Sequence, residues 1–491
     1  MGYKFKGFLK LKYNSNITNM KRRTFFSTLG ATIGTSMPAF SIVSRHVLGG
    51  KNFIAPSDKL NVAAIGAGGK AWQNLNRTYQ KGEANIVSLC DVDDRMAKQS
   101  REAWPEASYY KDFRQMLDKE DKNIDGVIVS SPDHMHAVHA LRAMKMGKHV
   151  YVEKPLTHDI QEARTLTEAA GKYKVVTQMG NQGSSGDDTR YVEKWIQDGV
   201  IGEVERVHVW TNRPVWPQGI PTPKDSHTIP TEVDWGLWLG TAPERPFNPI
   251  YIPANWRGWV DFGTGALGDM GCHFIDVPFR ALKLGYPTSV QCSIGSVWEG
   301  FFKEAIYTDS YPPSSKIHIQ FPQRDTMSPV ELIWYDGGIL PRRPDELKPD
   351  EPMADWDGGI IFEGSKGKLM AGLFGERATL LPTSRMNDIK LPEPDQPLVV
   401  DGTEGHQQQW VEACKKGFGS YTSSNFDIAG PLTETVIMGN LAVLSYNYQE
   451  GEEFPGRKLL LWDGPNMKIT NFEKANDFVK RTYRGTWDFT I

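Results

Sequence analysis

A lysine stands two residues after a short apolar run, residues 149–152, in the sequence Glu153-Lys154-Pro155. An ammonium group at the end of a buried strand is costly to desolvate, so it needs a structural counter-charge or a substrate oxygen to polarise. Pro155 fixes the backbone angle of the turn behind it. A second cluster runs from Gly263 through Asp269 and His273 to Asp276. Asp269 and His273 are four apart and Asp276 three further on, which predicts one helical face carrying all three. A carboxylate beside an imidazole orients the ring and raises its basicity; ordinary charge pairing on a helix surface is the plainer alternative.

Such groups need a scaffold and a reactant. Residues 60–65 are apolar, Gly66-Ala67-Gly68-Gly69-Lys70-Ala71 follow at once, and residues 72–80 read as a helix. Strand, glycine turn and helix in this order form a dinucleotide cradle. Gly66 permits the tight turn, Gly68 leaves room for a pyrophosphate, and Ala71 lets the helix pack on the strand. Ala67, Gly69 and Lys70 complete the loop at the helix N-terminus, where free N–H groups face an anion. The second strand, 84–90, ends in Asp91, placed to accept hydrogen bonds from ribose hydroxyls. A carboxylate there repels a 2′-phosphate and favours NAD over NADP, a preference that the nearby Arg95 softens.

Alternation continues with strands at 124–131, 149–152 and 175–179 and helices at 134–147 and 162–174. Repeated strand–helix units predict a parallel sheet covered on both faces. Ligands in such sheets bind beyond the carboxyl ends of the strands, which nominates Asp91, residues 130–136 with Ser131, Pro132 and His136, then Glu153, Lys154 and Asn181. His134, His136 and His139 do not make a metal set, because His134 leaves the face that the other two share. No metal is expected.

The chain has 491 residues, a net charge of −3, 15 Trp and 4 Cys. That balance lacks the basic footprint of a nucleic-acid binder. The cysteines are too few and scattered for a disulfide framework or a zinc site. Residues 20–27 are basic, with Arg22-Arg23 before Phe25-Phe26, and an uncharged stretch fills 28–44. This resembles a twin-arginine export signal, so residues 1–50 read as a leader of a bacterial periplasmic protein, with translation starting at Met20. No stable membrane span is expected after export, and no other segment approaches one. An exported NAD protein would have to carry its cofactor tightly bound.

Beyond residue 183 the pattern changes. Residues 203–210 and 316–321 alternate, as half-exposed strands do. Trp216, Trp235, Trp238, Trp256, Arg257 and Trp259 lie in Gly- and Pro-rich loops. Aromatic faces stack on sugar rings and Arg257 can hydrogen-bond hydroxyls, although each Trp singly is slightly better explained by packing under a loop or at a subunit interface. Residues 427–446 read as a helix, and the last thirty carry no readable motif.

Taken together, the Gly66 turn, Asp91, Ser130-Ser131-Pro132 with His136, Glu153-Lys154-Pro155 and Asp269 to His273 resemble the Gfo/Idh/MocA oxidoreductases, over about residues 58–450. The resemblance implies an α/β protein with a Rossmann dinucleotide-binding domain (58–182) and an α+β substrate and oligomerisation domain with a large mixed, mostly antiparallel sheet (183–450). Residues 451–491 would pack back on the body. It implies an NAD(P)-dependent oxidoreductase of sugars or glycosides, a homo-oligomer, with Lys154, Asp269 and His273 as catalytic triad. His273 would take the hydroxyl proton, Lys154 would stabilise the alkoxide and Asp269 would fix the histidine tautomer. Trp256, Arg257 and Asp276 would face the substrate. Two alternatives stay open: a glycoside hydrolase working by transient oxidation and elimination, and a non-catalytic sugar- or nucleotide-binding protein. Ala71 in place of the last glycine and inserts at 212–260 and 335–400 depart from the family pattern.

Overall fold

Continuous apolar runs build the first sheet, because helices cover both of its faces. The computed structural model describes residues 58–491 except 486, 488 and 491, so the leader and its Arg22-Arg23 pair lie outside the described residues. β1 (Leu60–Ile65), β2 (Ala84–Cys90), β3 (Ser108–Tyr110), β4 (Gly126–Val129), β5 (His149–Val152) and β6 (Thr177–Met179) pair in parallel in the order β3-β2-β1-β4-β5-β6. Helices α1 (Lys70–Tyr79), α2 (Asp94–Ala103), α3 (Phe113–Glu120), α4 (Asp133–Lys145) and α5 (Ile160–Tyr173) make the crossovers. Strand order reverses between β1 and β4, which opens a crevice at their carboxyl ends. Gly66, with φ +83°, turns the chain there, and a Cβ on it would sit 2.7 Å from the Ser130 carbonyl carbon, so only glycine lets the two loops close together.

Helix α6 (Asp187–Gln197) leads into the second sheet. Its members are β7 (Val204–Thr211), β8 (Ser289–Ile294), β11 (Ser315–Phe321), β12 (Val330–Tyr335), β13 (Gly358–Gly364), β14 (Gly367–Ala371), β15 (Thr379–Leu381), β16 (Leu460–Asp463) and β17 (Lys468–Ile469). A separate hairpin pairs β9 (Val297–Gly300) with β10 (Lys303–Ala305). The order is β15-β14-β13-β7-β12-β11-β8-β16-β17, and only β7 with β12 is parallel. β11 alternates buried and half-buried as its sequence predicts. β7 does so only in part: Arg206 is exposed and His208 half-buried between buried Val207 and Val209, but Trp210 and Thr211 are both buried, since the end of this strand is covered on both faces.

Helices α7 (Trp235–Leu239), α8 (Gly265–Phe274), α9 (Asp276–Ala281), α10 (His406–Lys416) and α11 (Phe426–Ser445) complete the set. By length and composition α11 is apolar enough to cross a membrane, contrary to the expectation that no segment approaches a span, but 83% of its most apolar window is buried in the protein. It is a core helix, pinned to α5 by a two-pronged Arg164–Glu434 pair with both bonds at 2.7 Å. α10 returns to the first sheet, where the Trp410 ring lies against Gly126.

Candidate functional site

A cavity of about 520 Å³ runs along the carboxyl ends of the first sheet. Gly66, Gly68, Gly69, Lys70, Asp91, Ser131, Pro132, His136, Glu153, Lys154, Trp256, Arg257 and His273 all line it. Lys154 comes from the end of β5 and His273 from α8, so residues more than a hundred positions apart share one space. Four residues singled out from the sequence do not line it: Ala67, Asn181, Asp269 and Asp276.

Each exception has a structural reason. Ala67 is fully buried and turns its N–H onto Asp91 Oδ2 at 2.8 Å, so it holds the acid in place. Asn181 is buried behind Gln182, which takes its place in the wall, and its side-chain amide has no partner among the described residues. Asp276 does not reach the cavity as expected. α8 ends at Phe274 because Pro278, lacking an N–H, cannot bond back to the Phe274 carbonyl. Asp276 instead forms a buried pair with Arg280 at 2.7 Å.

Asp269 is the hub behind the cavity wall. Lys154 Nζ donates to its Oδ1 at 2.8 Å and to its backbone carbonyl at 2.6 Å, and Arg257 Nε donates to the same Oδ1 at 3.0 Å. Burial pushes this carboxyl up, but the Lys154 and Arg257 charges outweigh it and hold Asp269 well below the usual carboxylate range. No hydrogen bond joins Asp269 to His273 among the described residues, and His273 Nδ1 is buried without a partner. The expectation that Asp269 fixes the histidine tautomer is therefore corrected: it anchors the two cations. Burial, then the Lys154 charge, drive the His273 imidazole well below its ordinary value, so it is neutral near neutral pH.

At the other end, Asp91 accepts backbone N–H groups from Ala67 and Asp93 at 2.8 and 2.9 Å. Burial outweighs those bonds and lifts its carboxyl to about 6. Arg95, whose position in sequence would let it soften a preference for NAD, is bound through two nitrogens to Asp93, at 2.6 and 2.8 Å. Gly68 lines the cavity, and it has a second reason to be small: a Cβ there would strike the Met96 carbonyl, so glycine also lets α2 approach the turn. His136 spans the loops, its ring nitrogens on the carbonyls of Pro155 and Ser131. His134 rests between the Phe262 and Trp238 carbonyls and His139 meets Ser131, so each of the three histidines has its own protein partner.

The tryptophans divide. Trp235 and Trp238 stack at 4.7 Å and pack with Tyr251, Trp259 and Phe262 as the core of the first insert. Trp238 and Trp256 line the cavity, and the Arg257 guanidinium lies 4.3 Å from the Trp256 ring centre. Several lining residues carry no signal in the sequence, Phe113, Ile252 and Trp487 among them. Trp487, from the tail, stacks on Phe113 at 6.1 Å with Arg114 over its ring. Asp133, inside a nominated stretch but not singled out, also lines the cavity and accepts the Thr264 hydroxyl at 2.6 Å.

Residues 60–181 match the model of the oxidoreductase family GFO_IDH_MocA, NAD-binding Rossmann fold, and residues 186–290 match its C-terminal alpha/beta domain. The chain is 27% identical over 233 residues to D-glucoside 3-dehydrogenase of Escherichia coli K12, covering 47% of this chain and 56% of that protein. It is 26% identical over 206 residues to a glycosyl hydrolase family 109 protein of Shewanella sp. W3-18-1, covering 38% of this chain and 44% of that one. The matches thus span about half the length of these curated relatives. Among solved structures, the WlbA dehydrogenase of Bordetella pertussis, in complex with NADH and UDP-GlcNAcA, is 16% identical with a TM-score of 0.52, covering 78% of this chain and 95% of that one. Levoglucosan dehydrogenase in complex with NADH has the same identity and score, covering 78% and 97%. These likenesses establish the fold.

Proposed function

Since the chain belongs to the GFO/IDH/MocA oxidoreductase family, with its NAD-binding Rossmann domain, we propose that it transfers hydride between a hydroxyl-bearing carbon of a sugar or glycoside and NAD. The observation that carries this reading is the single cavity shared by the glycine turn, Asp91, Lys154 and His273. The donor set fits the dinucleotide: a glycine turn at the start of α1 and the Lys70 ammonium for the pyrophosphate, Asp91 for a ribose. NAD, when bound, supplies the acceptor for the hydride that leaves the sugar carbon.

The protein's own groups supply the rest. An ammonium has three N–H donors, and Asp269 takes two of those on Lys154. The third is left for a substrate oxygen, where it stabilises negative charge as the hydroxyl proton departs. His273, kept neutral by burial, is the base for that proton, and the acid in the reverse direction. Trp256 and Arg257 offer an apolar face and hydroxyl donors for the ring, while Asp269 keeps both cations in place. In the test, purified protein is mixed with NAD and a panel of glucosides while reduced nicotinamide is followed. Lys154→Ala should lower kcat/KM by about 10²–10³-fold. Unchanged turnover would favour the sugar- or nucleotide-binding reading instead.

The match to a glycosyl hydrolase family 109 protein favours a second reading, cleavage of a glycosidic bond by oxidation, elimination, addition of water and re-reduction without net NADH. A chromogenic glycoside that releases its aglycone with catalytic NAD would support it. We further propose that residues 1–50 direct export through Arg22-Arg23, that NAD travels and stays bound, and that the second sheet mediates a homo-oligomer. Fusion of residues 1–50 to a reporter, mass spectrometry of the purified holoprotein and sedimentation test these in turn.

A further inference from the structure

Among the described residues His273 has no hydrogen-bonded orienter of the kind a catalytic imidazole ordinarily has, so something else must set its ring. Its Nδ1 is buried and unpaired among the described residues, and its ring packs edge-to-face on Phe374, centroids 5.2 Å apart at 78°. Phe374 belongs to the second insert and reaches His273 from the β14–β15 connection. Its backbone is left-handed, φ 60° and ψ 18°, a conformation a bulky side chain adopts only when the surroundings impose it.

Those surroundings are explicit. The Thr189 hydroxyl of α6 donates to the Phe374 carbonyl at 2.8 Å. Gly183 gives its face to the Phe374 ring, and any Cβ at 183 would overlap it. Gly375, with φ +78°, carries the chain away. Three elements and a strained residue therefore converge to place one benzene ring against one imidazole. The charged groups that face His273 are Lys154, Asp269 from its own helix, Lys70 from the glycine turn and Arg213 beyond β7. None of them forms a hydrogen bond to the ring among the described residues.

We propose that Phe374 is a positioning residue for the proton-transfer step: it sets the orientation of the His273 imidazole and seals its rear edge from water. The inference rests on the hydride-transfer reading, in which His273 is the base. Without the ring, water reaches Nδ1, the imidazolium becomes easier to form, and the imidazole gains alternative orientations.

The test uses full-length protein with histidines labelled at Cε1, the His273 signal being assigned through His273→Gln. In Phe374→Gly, which suits the left-handed backbone, the His273 titration midpoint should rise by about one pH unit towards the ordinary imidazole value. The acidic limb of kcat should move with it, and kcat should fall about tenfold with KM little changed. Phe374→Leu, which keeps an apolar side chain, should shift the midpoint in the same direction by less. An unmoved midpoint in a folded variant overturns the proposal. So does failure of both variants to fold, because the ring would then serve the fold and not the imidazole. If the midpoint moves while Lys154→Ala keeps full turnover, the hydride-transfer reading fails and the placement of the imidazole by Phe374 stands.

Discussion

Lys154, Arg257 and Asp269 form one electrostatic unit, and its balance decides what Lys154 can give a substrate. Asp269→Asn keeps the shape but removes the charge on which two cations converge. The variant should lose kcat far more than KM and unfold at lower temperature, read by steady-state kinetics and calorimetry. Asp91 provides a pH test. Its carboxyl is raised to about 6 by burial, so the ionised form that accepts ribose hydroxyls is lost as pH falls through that value. NAD affinity measured by calorimetry should therefore weaken below about pH 6, and Asp91→Asn should weaken binding and flatten that dependence. Glycine turn, acid, lysine and histidine were legible because each sits at a strand end or on a single helix. The false steps at Asp276 and at the tautomer role of Asp269 came from counting spacing without the break at Pro278, and from pairing an acid with the nearest base in sequence. Its real partners, Lys154 and Arg257, arrive from other elements.

The parallel sheet could be read almost strand by strand, since each strand–helix unit is local and its apolar run is continuous. β2 and β5 fall at their expected residues, while three-residue β3 is too short to leave a pattern. The second sheet was legible only in part. β7 pairs with β12 and β13, partners more than a hundred residues away, and such pairing leaves no local periodicity. Helix contacts were equally hidden. Gly68→Ala should force α2 away from the glycine turn through the Met96 carbonyl, costing about 1–3 kcal/mol of stability and weakening NAD binding, as measured by thermal unfolding with and without cofactor.

The first sheet does not stand alone, because distant segments return to it. α10 covers one face of it, α11 ties α5 to the second sheet, and the tail brings Trp487 to the cavity beside Phe113. Arg481 secures the tail. It binds Glu162 at 2.6 Å and the His134 carbonyl, and Tyr483 donates to the same Glu162. Asp159 and Glu162 are buried, so Arg481→Ala leaves two acids without their cation and should cost about 3–5 kcal/mol. Guanidinium unfolding should show that loss together with a weaker hold on NAD. A tail with no motif of its own thus becomes intelligible only through the acids it meets.

The most direct measurement is a single-turnover experiment with holoprotein and a glucoside deuterated in turn at each ring carbon, following reduced-nicotinamide absorbance. Hydride transfer assisted by Lys154 and His273 predicts a rise in that absorbance, slowed by deuterium at one carbon and lost in Lys154→Ala. An equal rise in Lys154→Ala, or none in the wild-type protein with any sugar, would contradict the assignment of this cavity.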